Sequence, residues 1–378
     1  MKANYQEPNS TLYCGHAIDV LKELEAGSVD CVPTSPPYWG LRTYKTEPLI
    51  WGDNHCEHEW GSELVKSINL QAGNPEFQRQ WRESATDKQA GQGNFCLKCG
   101  AWKGELGLEP TIELYISHLL LIFDEVKRVL KKTGTLWVNI GDSYSGSGKA
   151  SGQSIEQVTA KQASNFASAH LVIDSGIPAK SLCLIPERFA LAMVENGWIL
   201  RNDIVWNKPN PMPESVKDRF TGSWEHLFFF VKSKRYWFEQ QFDQYTEPLN
   251  RWGGDSTKPT DTTKDNDGVF AIAEREGRNR RPNELGRNKR DVWEINTQPY
   301  PEAHFAVFPE KLVETPILAG CPQDGVVLDP FAGAGTTGAV AKRLGRKYIG
   351  IELSPKYCDL HKKRLQGVSL PMNLVQYV

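Results

Sequence analysis

The stretch from Gly325 to Leu353 constrains the fold more than any other part of the chain. Val326-Val327-Leu328-Asp329 reads as a short apolar strand, followed by the tight turn Pro330-Phe331-Ala332-Gly333-Ala334-Gly335. Thr336 to Leu344 has helical character, and Lys347 to Leu353 is a second apolar strand with Glu352 near its end. Strand, turn, helix and strand in that order form a βαβ unit, which belongs in a parallel sheet covered by helices. Gly333 and Gly335 let the backbone turn and let a ligand come close to it. The helix N-terminus offers free N–H groups and a positive dipole end. An acid where Glu352 stands accepts hydrogen bonds from both hydroxyls of a ribose. The turn lacks the third glycine of a dinucleotide fingerprint and the Gly-Lys-Ser/Thr of a P-loop. A nucleoside cofactor therefore fits better than a dinucleotide or a nucleotide triphosphate. The plain alternative is a tight βα turn with no ligand.

The rest of the chain supports that fold class. Leu12 to Cys14, Ala17 to Leu24 and Val29 to Pro33 read as strand, helix, strand. Glu113 to Leu130 carries apolar residues on one helical face, and Thr135 to Ile140 is the next strand. A helix over Pro186–Asn196, a strand over Trp198–Trp206, a hairpin of Glu225–Phe230 with Arg235–Phe238 and a helix over Glu310–Ala319 complete the expectation. Strands alternating with helices argue for a doubly wound, mostly parallel α/β sheet. Residues 143–180 read as a loop, and residues 45–105 as an insertion outside the sheet. With 378 residues, no apolar run of about 18 residues and a polar start, the chain is expected to be cytoplasmic, with no membrane partner.

At the end of the strand Val29–Pro33 stands Thr34-Ser35-Pro36-Pro37-Tyr38-Trp39-Gly40. Two prolines force a turn at a strand's C-terminal end, where open α/β sheets bind ligands. The segment suits methyl transfer to an exocyclic base amine. Such an amine is a poor nucleophile, because its lone pair is delocalised into the ring. Acceptors on its hydrogens favour the tetrahedral geometry that attack requires. Ser35 offers a hydroxyl oxygen, and Pro36 and Pro37 offer carbonyls. Tyr38 offers a face on which a flipped-out base can stack. A stiffened turn with buried aromatics is the competing reading. Cytosine C5 chemistry needs a cysteine nucleophile in a Pro-Cys pair, and here Cys321-Pro322 stand in reverse order.

Taken together, the two motifs resemble those of the DNA amino-methyltransferases. SPPY-type segments typify the N4-cytosine members and DPPY the N6-adenine members. The catalytic motif precedes the cofactor motif, which resembles the β group, a circularly permuted form of the methyltransferase fold. The resemblance implies S-adenosylmethionine as cofactor, DNA as substrate with its target base flipped out, and N4 of cytosine as acceptor. N6 of adenine is the first alternative, and a catalytically inactive nucleic-acid reader or a dinucleotide oxidoreductase the others. It places Asp19 of Gly15-His16-Ala17-Ile18-Asp19 at the cofactor adenine. It sets Phe305, Phe308 and Pro309 beside the methionine part, with Asp329, Pro330, Phe331, Gly333, Gly335, Thr336, Thr337 and Glu352 completing the cofactor site. Ser35, Pro36, Pro37 and Tyr38 form the catalytic segment, and Trp39 faces DNA. Residues 199–213 help to hold the base. Residues 1–44 and 106–238 form the catalytic part, 239–295 the target-recognition region and 296–378 the cofactor-binding part. A cognate restriction endonuclease and a homodimer are the partners the resemblance suggests.

Two clusters lie outside those motifs. From Arg275 to Arg290 run seven basic residues, including Arg278, Arg280, Arg281, Arg287, Lys289 and Arg290. In the recognition region they suit phosphates and guanine edges, although a charge run is also what a solvated loop looks like. In the insertion, Cys56 and His58 with Cys96 and Cys99 match a Cys₃His zinc site. His55 is the alternative fourth ligand, and a redox Cys-x-x-Cys the alternative use.

Overall fold

A computed structural model describes residues 2–40, 46–52, 55–61, 95–145, 177–244, 285–298 and 308–368. Its centre is a nine-stranded sheet. The strands are β1 (Tyr5–Glu7), β2 (Ser10–Cys14), β3 (Val29–Thr34), β6 (Leu130–Ile140), β7 (Ile199–Asn207), β8 (Trp224–Val231), β11 (Val292–Glu294), β12 (Val326–Asp329) and β13 (Lys347–Glu352), in the order β1-β2-β13-β12-β3-β6-β8-β7-β11. From β2 to β6 every pairing is parallel. Strand β8 runs antiparallel to both of its neighbours, and β11 is parallel to β7. The sheet is thus mostly parallel with a mixed edge.

The apolar runs have to serve both faces of this sheet, and they do so by alternation. Leu136, Val138, Phe228 and Phe230 join one core, and Trp137, Leu227, Phe229 and Val231 the other. Helices α1 (Ala17–Glu23), α2 (Ile112–Val129) and α3 (Ile185–Glu195) build the first layer. Helices α4 (Glu310–Gly320), α5 (Thr336–Arg343) and α6 (Pro355–Gln366) build the second. Helix α2 starts at a Thr111 cap, whose hydroxyl accepts from the Leu114 amide at 3.2 Å. None of the described helices is long and apolar enough to cross a membrane.

Several expectations change here. The Glu225–Phe238 hairpin does not form, because β8 already pairs with β6 and β7 on its two edges. Tyr236 and Phe238 instead pack on Phe229, with ring centroids 5.7 and 5.8 Å away. The insertion lies outside the main sheet but packs on the first core. Its strands β4 (Leu49–Trp51) and β5 (Trp102–Gly104) form an antiparallel ribbon, and Trp51 and Trp102 are buried in the first core. Helix α6 was not anticipated. Of the recognition region, β9 (Phe242–Asp243) pairs with β10 (Arg287–Asn288), whereas β11 belongs to the main sheet.

Candidate active site

Neighbouring strands β3 and β12 end at Thr34 and Asp329. The Thr34 hydroxyl donates to Asp329 Oδ1 at 2.6 Å, although the two residues lie 295 positions apart. The Thr337 hydroxyl donates to Oδ2 at 2.6 Å and the Phe331 amide to Oδ1 at 3.1 Å. Asp329 is fully buried, and that burial pushes its pKa up to about 6 against the pull of its three donors. One carboxylate therefore fixes the start of both turns.

Beyond these turns a cavity of about 420 Å³ opens at the C-terminal ends of β2, β3, β12 and β13. The volume lies in the range of small-molecule sites. At one end Glu352 faces the cavity, its Oε2 accepting from the Gly333 amide at 2.8 Å and its Oε1 from the Ser354 amide at 2.7 Å. Burial pushes its pKa up to about 7. Each oxygen keeps a lone pair for a ribose hydroxyl. Gly335 is required twice over: its φ is +85°, and a Cβ there would lie 2.5 Å from the His361 ring. His361, buried and pushed down to about 3 by that burial, packs under the turn as a neutral ring.

At the other end Ser35, Pro36, Pro37 and Tyr38 line the wall. The buried Tyr115 hydroxyl donates to the Pro37 carbonyl at 2.7 Å, and the Gly40 amide to Gly107 O at 2.8 Å. The Tyr38 ring lies so close to Gly141 that a Cβ there would meet it at 2.6 Å. The Tyr38 hydroxyl stands 2.7 Å from Glu225 Oε2 and 3.1 Å from Asn139 Oδ1. The Asn139 amide donates to Glu225 Oε2 at 3.1 Å and to His226 O at 3.0 Å. Lys208 pairs with the other oxygen of Glu225 and lies 4.4 Å from the Trp206 ring centre. Tyr38, Asn139 and Lys208 thus converge on a single carboxylate, beside aromatic faces that a planar base can use.

The model of the N6/N4 DNA methylase family matches residues 29–363. The chain belongs to that family. Among the relatives of this methylase, the type II methyltransferase M.Cfr9I of Citrobacter freundii is 36% identical over 95% of this chain and 88% of its own. M.SmaI of Serratia marcescens is 34% identical over 93% and 89%. In fold, the methylase is similar to PvuII DNA methyltransferase, described as cytosine-N4-specific, with a TM-score of 0.52 at 18% identity over 98% of both chains.

The residues expected from the sequence fall into distinct places in the methylase. Ser35, Pro36, Pro37, Tyr38, Phe308, Pro330, Phe331, Gly333, Thr336 and Glu352 line the cavity. Asp329, Thr337, Gly335 and Pro309 lie behind that lining as supports; Pro309 caps α4. Asp19 is displaced from its expected place: the lining residues there are Gly15, His16 and Ala17, and the Asp19 carboxylate sits 60% exposed on α1. Trp39, expected to face DNA, is 5% exposed and donates its indole N–H to Glu109 O at 3.0 Å. Burial makes it a packing residue. Lys289 is tied to Asp243 at 3.3 Å, and Arg290 is exposed. Phe305, Arg278, Arg280 and Arg281 lie outside the described residues. Sequence reasoning missed Glu225, Asn139 and Trp51. Glu225 alone left a trace, as a carboxylate at the start of the apolar run Leu227 to Val231.

Proposed function

We propose that this methylase transfers a methyl group from S-adenosylmethionine to N4 of a cytosine flipped out of duplex DNA. The observation that carries the base assignment is Ser35, standing where adenine enzymes of the resemblance carry aspartate, at the cavity wall beside Tyr38. Tyr115 engages the Pro37 carbonyl. That leaves the Ser35 hydroxyl and the Pro36 carbonyl to accept the two amine hydrogens. Lys208 adds a donor to the same wall. It matches the carbonyl O2 that cytosine has and adenine lacks.

Bound S-adenosylmethionine supplies an already activated methyl group. The residues of the chain then have to hold the amine in line with it, stack the base on Tyr38 and exclude water. The amine lone pair forms the new C–N bond as the C–S bond breaks, and the surplus amine proton leaves to solvent. Methyl transfer to an amine needs no metal. The type II methyltransferase names of the relatives support a DNA modification enzyme, and a cognate endonuclease and a cytoplasmic location belong to the same proposal. A homodimer is part of the same proposal.

The deciding experiment is methylation of mixed-sequence duplex DNA with labelled S-adenosylmethionine, followed by nucleoside mass spectrometry. N4-methylcytosine that disappears in Ser35→Ala and Tyr38→Ala is the expected result. N6-methyladenine would overturn the base assignment.

Glu352 makes the cofactor step pH-dependent. Its acid form is favoured in the free protein up to about pH 7, whereas the ribose hydroxyls need the carboxylate. Binding below that pH therefore releases a proton, and affinity should fall about tenfold per pH unit as the pH drops further. Calorimetry at pH 6 in buffers of different ionisation enthalpy should register about one proton released. Glu352→Gln should bind more weakly and release none.

A further inference from the structure

We propose that Cys56, His58, Cys96 and Cys99 hold one zinc ion, and that this ion pins the β4–β5 ribbon so that Trp51 stays in the cavity wall. The four ligand atoms lie within 4.8 Å of one another. Cys56 Sγ is 3.9 Å from Cys96 Sγ, and Cys99 Sγ is 3.5 Å from His58 Nδ1. Tetrahedral zinc, with Zn–S of about 2.3 Å and Zn–N of about 2.0 Å, sets its ligand atoms roughly 3.5–3.8 Å apart. Three thiolates and an imidazole form a soft donor set that selects zinc over magnesium or calcium.

The backbone brings the two halves of the site together. The Leu97 amide donates to Glu59 O at 2.8 Å and the Gly61 amide to Phe95 O at 3.0 Å. The Cys96 amide donates to Ala101 O at 2.7 Å, closing the turn that carries Cys96 and Cys99. Two strands of three residues are too little to be stable alone, and a metal is what such a small unit commonly adds.

From the cluster a short path leads to the cavity. Phe95, next to Cys96, bridges to Trp102 of β5, and Trp102 pairs with Trp51 of β4. Both indoles stack on His118, with centroids 4.5 and 5.6 Å away, and His118 is held by the buried Glu109 at 3.0 Å. Trp51 lines the cavity. Fixing the knuckle therefore fixes one wall of the binding site.

The experiment uses the full chain purified under reducing conditions. Elemental analysis should find one zinc per chain, and none in the Cys96→Ser/Cys99→Ser double variant. Cobalt exchanged into the wild-type chain should show thiolate-to-metal charge transfer and the strong visible bands of tetrahedral coordination, which needs no variant to fold. Stripping the metal with a chelator should weaken S-adenosylmethionine binding about tenfold in calorimetry, and adding zinc should restore it. A wild-type chain without zinc, zinc retained in the double variant, or a Cys56–Cys96 disulfide found by mass spectrometry would overturn the site. Unchanged cofactor affinity after stripping would overturn the coupling to Trp51. That second half rests on the proposed cofactor: a zinc-loaded chain that binds no S-adenosylmethionine defeats the cofactor reading and leaves the metal site standing.

Discussion

Asp329→Ala is expected to abolish methylation and to cost about 3–5 kcal/mol of folding stability, since each buried polar group that loses its only partner costs about 1–3 kcal/mol. Three donors lose their acceptor at once: the hydroxyls of Thr34 and Thr337 and the amide of Phe331. Asp329 and both threonines are buried, so the two hydroxyls have no water to replace the carboxylate. The loss also frees the starts of both turns, so the segments that begin at Thr34 and Phe331 lose their common anchor. Asp329→Asn keeps the shape and one acceptor oxygen, and the hydroxyl facing the new amide can rotate to accept from it; about 1–2 kcal/mol is expected there. The two variants also differ from wild type in pH response. Burial raises the acid from 3.8 to about 6, so the folded state holds the proton more tightly than the unfolded one, and ionisation erodes stability as pH rises through that window. Neither variant titrates, and both should lose that slope. Denaturant unfolding between pH 4 and 7, with cofactor titration alongside, checks this; a variant of wild-type stability and activity would sink the anchoring role.

Glu225→Ala should lower kcat by about 10²–10³-fold while leaving cofactor affinity near wild type, the signature of lost positioning at the target base. Its carboxylate is the shared partner of Tyr38, Asn139 and Lys208. Removing it leaves the Lys208 ammonium, only 17% exposed, without a counter-ion, and lets the Tyr38 ring swing. Glu225→Gln retains the volume and an acceptor for the Tyr38 hydroxyl, so about a tenfold loss is expected. Separate kcat and KM values for cofactor and DNA decide the matter: a change confined to the cofactor KM would show that the cluster serves the other end of the cavity.

The two motifs were legible because each is written in consecutive residues. Strand, glycine turn, helix and terminal acid lie within 325–353, and the paired prolines stand directly after an apolar strand. What they touch was less legible. Nothing local in Asn139 or Trp51 marks them as neighbours of Tyr38 or of the cofactor end, and Glu225 shows only as a carboxylate before an apolar run, since the sheet order that gathers them is set by pairing between distant strands. Trp39 misled because an aromatic beside glycine reads the same whether it is exposed or buried. Asp19 misled for a related reason. The turn before α1 reaches the cavity through Gly15, His16 and Ala17, and the helical repeat then carries Asp19 out to solvent. The failed hairpin has the same origin: only the sheet order reveals that both edges of β8 are taken. The Cys and His pairs were recognised by spacing, but their ribbon's part in the cavity wall depended on tryptophans whose destination the local pattern does not encode.

The strand order also dictates how this chain can be made. Strands β12 and β13 lie between β2 and β3, so the first two long strands to leave the ribosome are separated in the finished sheet by the last two. Until β12 is made the sheet has a two-strand gap, and until β13 follows it β2 keeps an unsatisfied edge. Contacts this distant in sequence make for slow closure and long exposure of strand edges. Growing chains are therefore at their most aggregation-prone late in synthesis, and enzyme cut short before β12 has neither a complete sheet nor an anchor for Thr34.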